Sequence, residues 1–212
     1  MLVLGRRLRK TWSERGVTMM EIIVVLAVIG VMAAVLTPMV LNYLDDAKKS
    51  KAESDVKALA GVIHRLARDV VHFPLYKDGT KTTGAPDWEL LQGPGNDPVD
   101  NDGSKKWLTV GQGKIDELEN HLIKNNPGSK KYETDPAKSR FLWRGPYIEK
   151  VGPDPWGNRY LVNIKNANPA DNPAKVVWAL TAGPNGKIET DPEALTDSGV
   201  VPGGDDIAIR IR

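Results

Sequence analysis

From Val17 to Leu41 the chain is apolar at every position except Thr18, Glu21 and Thr37. As a helix, a stretch of this length spans about 37 Å at roughly 1.5 Å per residue, enough to cross a hydrocarbon core of about 30 Å. It reads as a transmembrane segment. From Tyr43 the composition turns charged, yet Val56, Leu59, Ile63, Leu66 and Val70 recur at alternating steps of three and four, which is one face of a helix. Lys51, Asp55, Arg65, Arg68 and Asp69 fall on the other side, and Pro74 sets an end near His72. The pattern predicts one helix from Val17 to near Val71, apolar all round in its first half and one-sided in its second. Pro38 cannot donate to the carbonyl of Ala34, so a kink or local opening is expected there.

Beyond Phe73 the period changes. Tyr160 to Ile164, Val176 to Thr181 and Ile207 to Ile211 read as short strands, the last two partly alternating. They predict a small antiparallel sheet folded onto the long helix, hence an α+β fold. Five of the six tryptophans (Trp88, Trp107, Trp143, Trp156, Trp178) lie in this part and suit a small core fixed by large side chains. Residues 77–140 are less regular, with one predicted helix from Ile115 to Lys124 that places Ile115, Leu118, Leu122 and Ile123 on one side.

Charge fixes the orientation. Arg6, Arg7, Arg9, Lys10 and Arg15 precede the apolar run against the single acid Glu14, so the positive-inside rule keeps residues 1–16 cytoplasmic and sends the bulk of the chain across the membrane. A cleaved secretory signal fits poorly, because its apolar region runs to about 7–15 residues and ends at an A-x-A-like site. A twin-arginine signal at Arg6 and Arg7 meets the same objection. A plain anchor leaves Glu21 unexplained, since an acid in a membrane helix costs up to about 2.5–3.5 kcal/mol and calls for a partner.

Composition narrows the chemistry. The formal net charge of +2 lacks the one-sided balance that nucleic-acid binding requires, so no DNA or RNA partner is expected. Without cysteine there is no disulfide framework, thiolate nucleophile or zinc knuckle. His64, His72 and His121 are far apart in sequence, and His64 and His72 read as surface or boundary residues rather than ligands. No G-x-S-x-G, H-E-x-x-H or P-loop occurs, and the chain is not read as an enzyme; a membrane-anchored enzyme is the remote alternative.

The segment GVTMMEIIVVLAVIGVMAAVLTPMVLNYL at 16–44 resembles the class III signal of type IV pilin-like proteins. The resemblance implies a prepilin peptidase cut between Gly16 and Val17, methylation of the new N-terminus, and an assembly role for Glu21. With an ordinary α-amino pKa of about 8, the new ammonium on Val17 is mostly charged at neutral pH, and it is the partner Glu21 lacks. In the family that glutamate is thought to meet the N-terminus of the neighbouring subunit. Val17, Met19 and Met20 depart from the usual residues by apolar exchanges, and the Gly-x-x-x-x-Glu spacing is intact. Gly30 and Pro38 match the family's helix-breaking residues.

GPYIEKVGPDPWGNRYLV at 145–162, followed by ALTAGPNGK, resembles the Gly-Pro-Tyr and Asp-Pro-Trp-Gly-x-x-Tyr motif of the major pseudopilins of type II secretion systems. By its chemistry alone this is a turn, with Trp156 expected to anchor it on the core. The resemblance covers 10–72 and 145–212 and implies a pilin-like fold. Its parts are a leader at 1–16, a transmembrane and filament-core helix at 17–44, its amphipathic continuation at 45–72, and a periplasmic domain at 73–212 with an insert at 77–140. It further implies inner-membrane residence before assembly, then self-assembly into a helical periplasmic filament that supports export of folded proteins. The implied partners are the prepilin peptidase, the inner-membrane assembly platform and minor pseudopilins. The alternative is a type IV or minor pilin whose 77–140 region contacts a ligand. The family also binds calcium in a C-terminal loop; Asp205 and Asp206 are the implied ligands, with Asn185 where an aspartate is usual. Calcium takes such oxygen ligands.

Overall fold

The computed structural model describes residues 16–76, 86–100, 107, 114–167, 175–194 and 199–212. The basic leader before Gly16 and much of the 77–113 stretch lie outside the described residues. Helix α1 runs over Met19–Val70 without ending at Pro38, while the Thr37 hydroxyl donates to the Ala33 carbonyl at 2.7 Å. The chain divides into two compact units within α1, the first ending at Asp45 and the second running from Asp46 to Arg212.

In the first unit every described residue is exposed, including Val24, Ile29, Leu36 and Met39. A helix that is apolar all round and covered on no side is stable only in an apolar environment. By length and composition it is long and apolar enough to cross a membrane.

In the second unit the five stripe residues Val56, Leu59, Ile63, Leu66 and Val70 are all buried, as their spacing predicts. Around them the chain forms β1 (Leu90–Gln92), β2 (Val99–Asp100), β3 (Ile115–Glu117), α2 (Leu118–Leu122), β4 (Leu161–Val162), β5 (Trp178–Thr181), β6 (Lys187–Ile188) and β7 (Ile207–Arg210). The main sheet has the order β3-β1-β4-β5-β7, and β2 pairs with β6 separately. The three strands read from the sequence are β4, β5 and β7, each shorter than expected. After Val162 the chain turns into a 3-10 helix at Ile164–Ala167.

Alternation along the strands divides the core in two. Leu91, Val162, Val177 and Ala179 pack with the α1 stripe, whereas Leu90, Leu161, Trp178 and Leu180 pack on the other face with Trp107 and Ile188. A strand buried on both faces reads as a near-continuous apolar run, and β5 is buried throughout, with Thr181 its one polar residue.

The 77–140 region corrects two expectations. The predicted helix from Ile115 to Lys124 begins as strand β3, because Leu90 pairs with Ile115 and Gln92 with Glu117 in parallel register. Only Leu118–Leu122 is helical, and it keeps Leu118 and Leu122 in the core. The sheet is therefore mixed: β1, β4, β5 and β7 form the expected antiparallel part, and β3 adds a parallel edge. The region is thus partly woven into the main sheet rather than wholly separate from it.

Candidate functional site

At the start of α1, Gly16, Val17 and Thr18 are non-helical and exposed, with Val17 68% open. Accessible, unwound backbone of this kind is what a peptidase requires. Thr18 and Glu21 then cap the helix reciprocally. The Glu21 amide donates to Thr18 Oγ1 at 3.3 Å, and the Thr18 amide reaches Glu21 Oε2 at 3.5 Å. This is a capping box, which satisfies two orphan donors and delays the first helical residue to Met19. The Thr-x-x-Glu spacing carried that signal in the sequence, although the periodicity alone placed the start at Val17. Glu21 thus serves the helix end before any partner subunit is involved.

The two motif segments, 145–147 and 154–160, fasten the second half of α1. Tyr147 donates through its hydroxyl to Asp69 Oδ2 at 3.1 Å, and the Tyr147 hydroxyl oxygen in turn accepts the Arg144 amide at 3.0 Å. Tyr160 donates to Asp55 Oδ2 at 2.9 Å, an oxygen that Lys51 Nζ also reaches at 2.9 Å. Burial pushes the Tyr147 phenol up to about 12. Burial and the Asp55 carboxylate push Tyr160 higher still, so both remain neutral donors at ordinary pH.

Within the Asp-Pro-Trp-Gly turn the anchor differs from the expectation. Trp156 is only half-buried and belongs to neither core cluster. Asp154 instead is 4% exposed. Its Oδ1 accepts the amides of Trp156 and Asn158 at 2.9 and 2.7 Å, and its Oδ2 accepts the hydroxyl of Thr181 on β5. A short carboxylate can reach turn amides that a large indole cannot serve.

A further buried polar cluster lies in the 77–140 region. His121 on α2 is fully buried; its Nδ1 lies 2.6 Å from the Tyr132 hydroxyl and its Nε2 3.1 Å from Asp116 Oδ2. Burial holds the imidazole below its ordinary pKa against the upward pull of Asp116. Burial would raise Asp116, but the His121 imidazole beside it and the hydrogen bond from Asn120, with others, bring it below the usual carboxylate value. Nothing in the sequence around His121 distinguished it from a surface histidine. It sits on α2, which follows directly on strand β3.

The structure also brings Asn185, Asp205 and Asp206 together. The Asn185 amide donates to Asp205 Oδ2 at 3.1 Å. Asp206 Oδ2 accepts the amides of Glu189 and Thr190 at 2.8 and 2.6 Å. Gly183, at φ +63, lies so close to the Asp205 carbonyl that a Cβ would approach it to 2.2 Å, so only glycine lets the two loops meet. Oδ1 of Asp205 and Oδ1 of Asp206 are both buried with no hydrogen-bond donor, and burial raises the Asp206 pKa. Two orphaned carboxylate oxygens fit a divalent cation, which accepts oxygen ligands and offsets their charge. Among the described residues no three His, Asp or Glu side chains already stand together at metal-ligand spacing, so the fit rests on those two oxygens. Asn185 is not posed as a ligand, because its Oδ1 accepts the Lys187 amide at 2.6 Å.

Comparison with known proteins places these features in context. The chain is 26% identical over 184 residues to the type II secretion system core protein G of Escherichia coli K12, covering 87% of this chain and 91% of that protein. It is similar to the major pseudopilin of type II secretion. The core protein G of Pseudomonas aeruginosa is 25% identical over 148 residues, 70% of this chain and 72% of its own length. That of Dickeya chrysanthemi reaches 33% over 66 residues, 31% of this chain and 43% of its own. No family model matches the chain, and no solved structure matches it. The relatives are named as components of a secretion system, not as enzymes.

Proposed function

We propose that this protein is the structural subunit of a type II secretion pseudopilus, assembling into a periplasmic filament that supports export of folded proteins. The observation that carries the reading is the likeness to core protein G over 91% of the E. coli protein, in a chain whose helix α1 is apolar all round in its first half with Glu21 in its first turn. The subunit begins as a single-pass inner-membrane protein with its N-terminus in the cytoplasm. A prepilin peptidase cuts the exposed Gly16–Val17 bond, the new terminus is methylated, and Glu21 meets an α-ammonium in the filament core. The assembly platform and minor pseudopilins are its partners. Calcium, held by Asp205 and Asp206, steadies the join between the β5–β6 loop and the start of β7.

N-terminal mass spectrometry of protein from the native host, with electron microscopy of sheared filaments, tests the reading. Methylated Val17 and filaments built from this chain are the expected results. An intact Met1 terminus on membrane-resident protein, or a cut beyond Leu36, overturns it.

A further inference from the structure

We propose that Glu189 acts as a divalent-cation ligand beside Asp205 and Asp206, supplying the charge that Asn185 does not. The inference rests on the calcium reading above and adds to it a residue outside the ligand set implied by resemblance. Asn185 is neutral, its oxygen is committed to the Lys187 amide, and the atom it turns toward Glu189 is Nδ2, 3.5 Å from Oε2. The Lys187 amide is a fixed donor, so it settles which way the Asn185 amide points. Glu189 Oε2 also accepts the Asp205 amide at 3.2 Å. That carboxylate lies directly over Gly204, where a Cβ would come within 1.4 Å of the same oxygen.

The Glu189 side chain therefore reaches across to the backbone of the Gly204–Asp205 turn, while its own amide is held by Asp206 Oδ2. Asp206 is only 8% exposed and its Oδ1 has no donor; Asp205 Oδ1 has none either. A cation drawn to these oxygens gains a third carboxylate when Glu189 exchanges its hold on the Asp205 amide for the ion. A third carboxylate adds negative charge and an oxygen ligand of the kind calcium takes.

The experiment follows thermal unfolding of the full chain in detergent micelles by the near-ultraviolet signal of its tryptophans, in millimolar calcium and in chelator. Three variants are compared: Glu189→Gln, Asn185→Ala, and Asp205→Asn with Asp206→Asn. Glutamine retains an acceptor for the Asp205 amide, so Glu189→Gln should melt no lower than the unsubstituted chain in chelator. It should lose most of the calcium increment and raise the half-saturating calcium concentration at least tenfold. Asn185→Ala should keep its increment, and the double variant should have none. A full increment in Glu189→Gln overturns the role of Glu189 and leaves the calcium reading standing. Loss of the increment in Asn185→Ala alone returns Asn185 to the ligand set. No increment in the unsubstituted chain overturns the calcium reading and this inference together.

Discussion

The Tyr160 hydroxyl donates to Asp55 Oδ2 at 2.9 Å across 105 residues of sequence, joining the last residue of the Asp-Pro-Trp-Gly-x-x-Tyr segment to α1. About four turns further along the same helix Asp69 receives the hydroxyl of Tyr147. Each tyrosine spans the gap that its motif's turn leaves between loop and helix, so the two motif halves act as two clasps on one helical edge. This gives the motif a physical purpose: it fixes α1 from Asp46 onward against the sheet domain.

Tyr160→Phe removes the clasp with almost no change in volume. Asp55 keeps Lys51, and because that pair is partly exposed its attraction is screened. The expected loss is about 1.5–3 kcal/mol, the range for a hydrogen bond to a charged group. Urea unfolding of the full chain in micelles measures it. A double-mutant cycle with Asp55→Asn should then give a coupling of similar size, and additivity between the two sites would show the contact to be idle.

At Gly145 a Cβ would come within 2.4 Å of the Trp143 ring, and the Trp143 Nε1 donates to the His121 carbonyl at 2.9 Å. The indole is thus tied and cannot yield cheaply. Gly145→Ala should cost about 1–3 kcal/mol as overpacking. Gly152, with nothing within 4 Å of its would-be Cβ, provides the control: Gly152→Ala should leave the melting temperature almost unchanged.

Much of this architecture was legible because periodicity reports burial directly. The α1 stripe at Val56, Leu59, Ile63, Leu66 and Val70 and the strands β4, β5 and β7 follow from spacing alone. What escaped was whatever depended on a distant partner. Ile115 to Glu117 carry a helical pattern, but the free backbone edge of β1 claims them as a strand. Asp55 and Asp69 read as solvated charges until a tyrosine from the other end of the chain meets each one. Trp156 looked like the anchor of its turn because large apolar side chains usually are, whereas the buried carboxylate of Asp154 takes that place. At the start of α1, the Thr18–Glu21 cap was readable from the local Thr-x-x-Glu spacing. The approach of Glu189 to Asp205 was hidden because the residue after β6 and the Gly204 turn meet only in the fold.

His121 predicts a pH dependence with a definite sign. Burial lowers its pKa in the folded chain, so below about pH 6.5, the unfolded value, the unfolded state binds the extra proton. Stability should therefore fall as pH drops through 6.5 toward the lowered folded value. Asp116, itself lowered, adds a second loss further down, as pH falls below its unfolded value near 3.8 toward its folded one. Chemical unfolding of the full chain in micelles between pH 7.5 and pH 5 should show the first slope, and His121→Gln should flatten it. An unchanged slope in His121→Gln would assign the dependence to another group.

Val71 closes α1 in the left-handed region, at φ +71. A β-branched residue there carries a steric cost that glycine does not, roughly 1–2 kcal/mol. The side chain is half exposed, so little packing is lost with it. Val71→Gly should raise stability by up to about 1 kcal/mol, the remainder being offset by the entropy of the freer unfolded chain. Val71→Ala should do less, since alanine keeps the Cβ. A fall in melting temperature for Val71→Gly would show that the exposed isopropyl group contributes more than the strain costs.

Glu21 stands in two relationships whose effects a single alanine variant confounds. Its carboxylate accepts the Thr18 amide, and after cleavage it would face a charged α-ammonium one residue earlier, in a medium that strengthens both attraction and desolvation. Glu21→Gln retains a neutral acceptor for the Thr18 amide and removes the charge. Thr18→Ala removes the hydroxyl that receives the Glu21 amide, at a cost of about 1 kcal/mol to the helix start, and leaves the charge in place. If the ion pair governs assembly, sheared filament yield should collapse in Glu21→Gln and Glu21→Ala alike, while Thr18→Ala assembles with at most a modest deficit. All three should be inserted and cut at Gly16, which mass spectrometry of the membrane fraction verifies. Normal yield from Glu21→Gln with failure of Thr18→Ala would reverse the assignment, making the helix cap, rather than the charge, the property that the filament requires at this position.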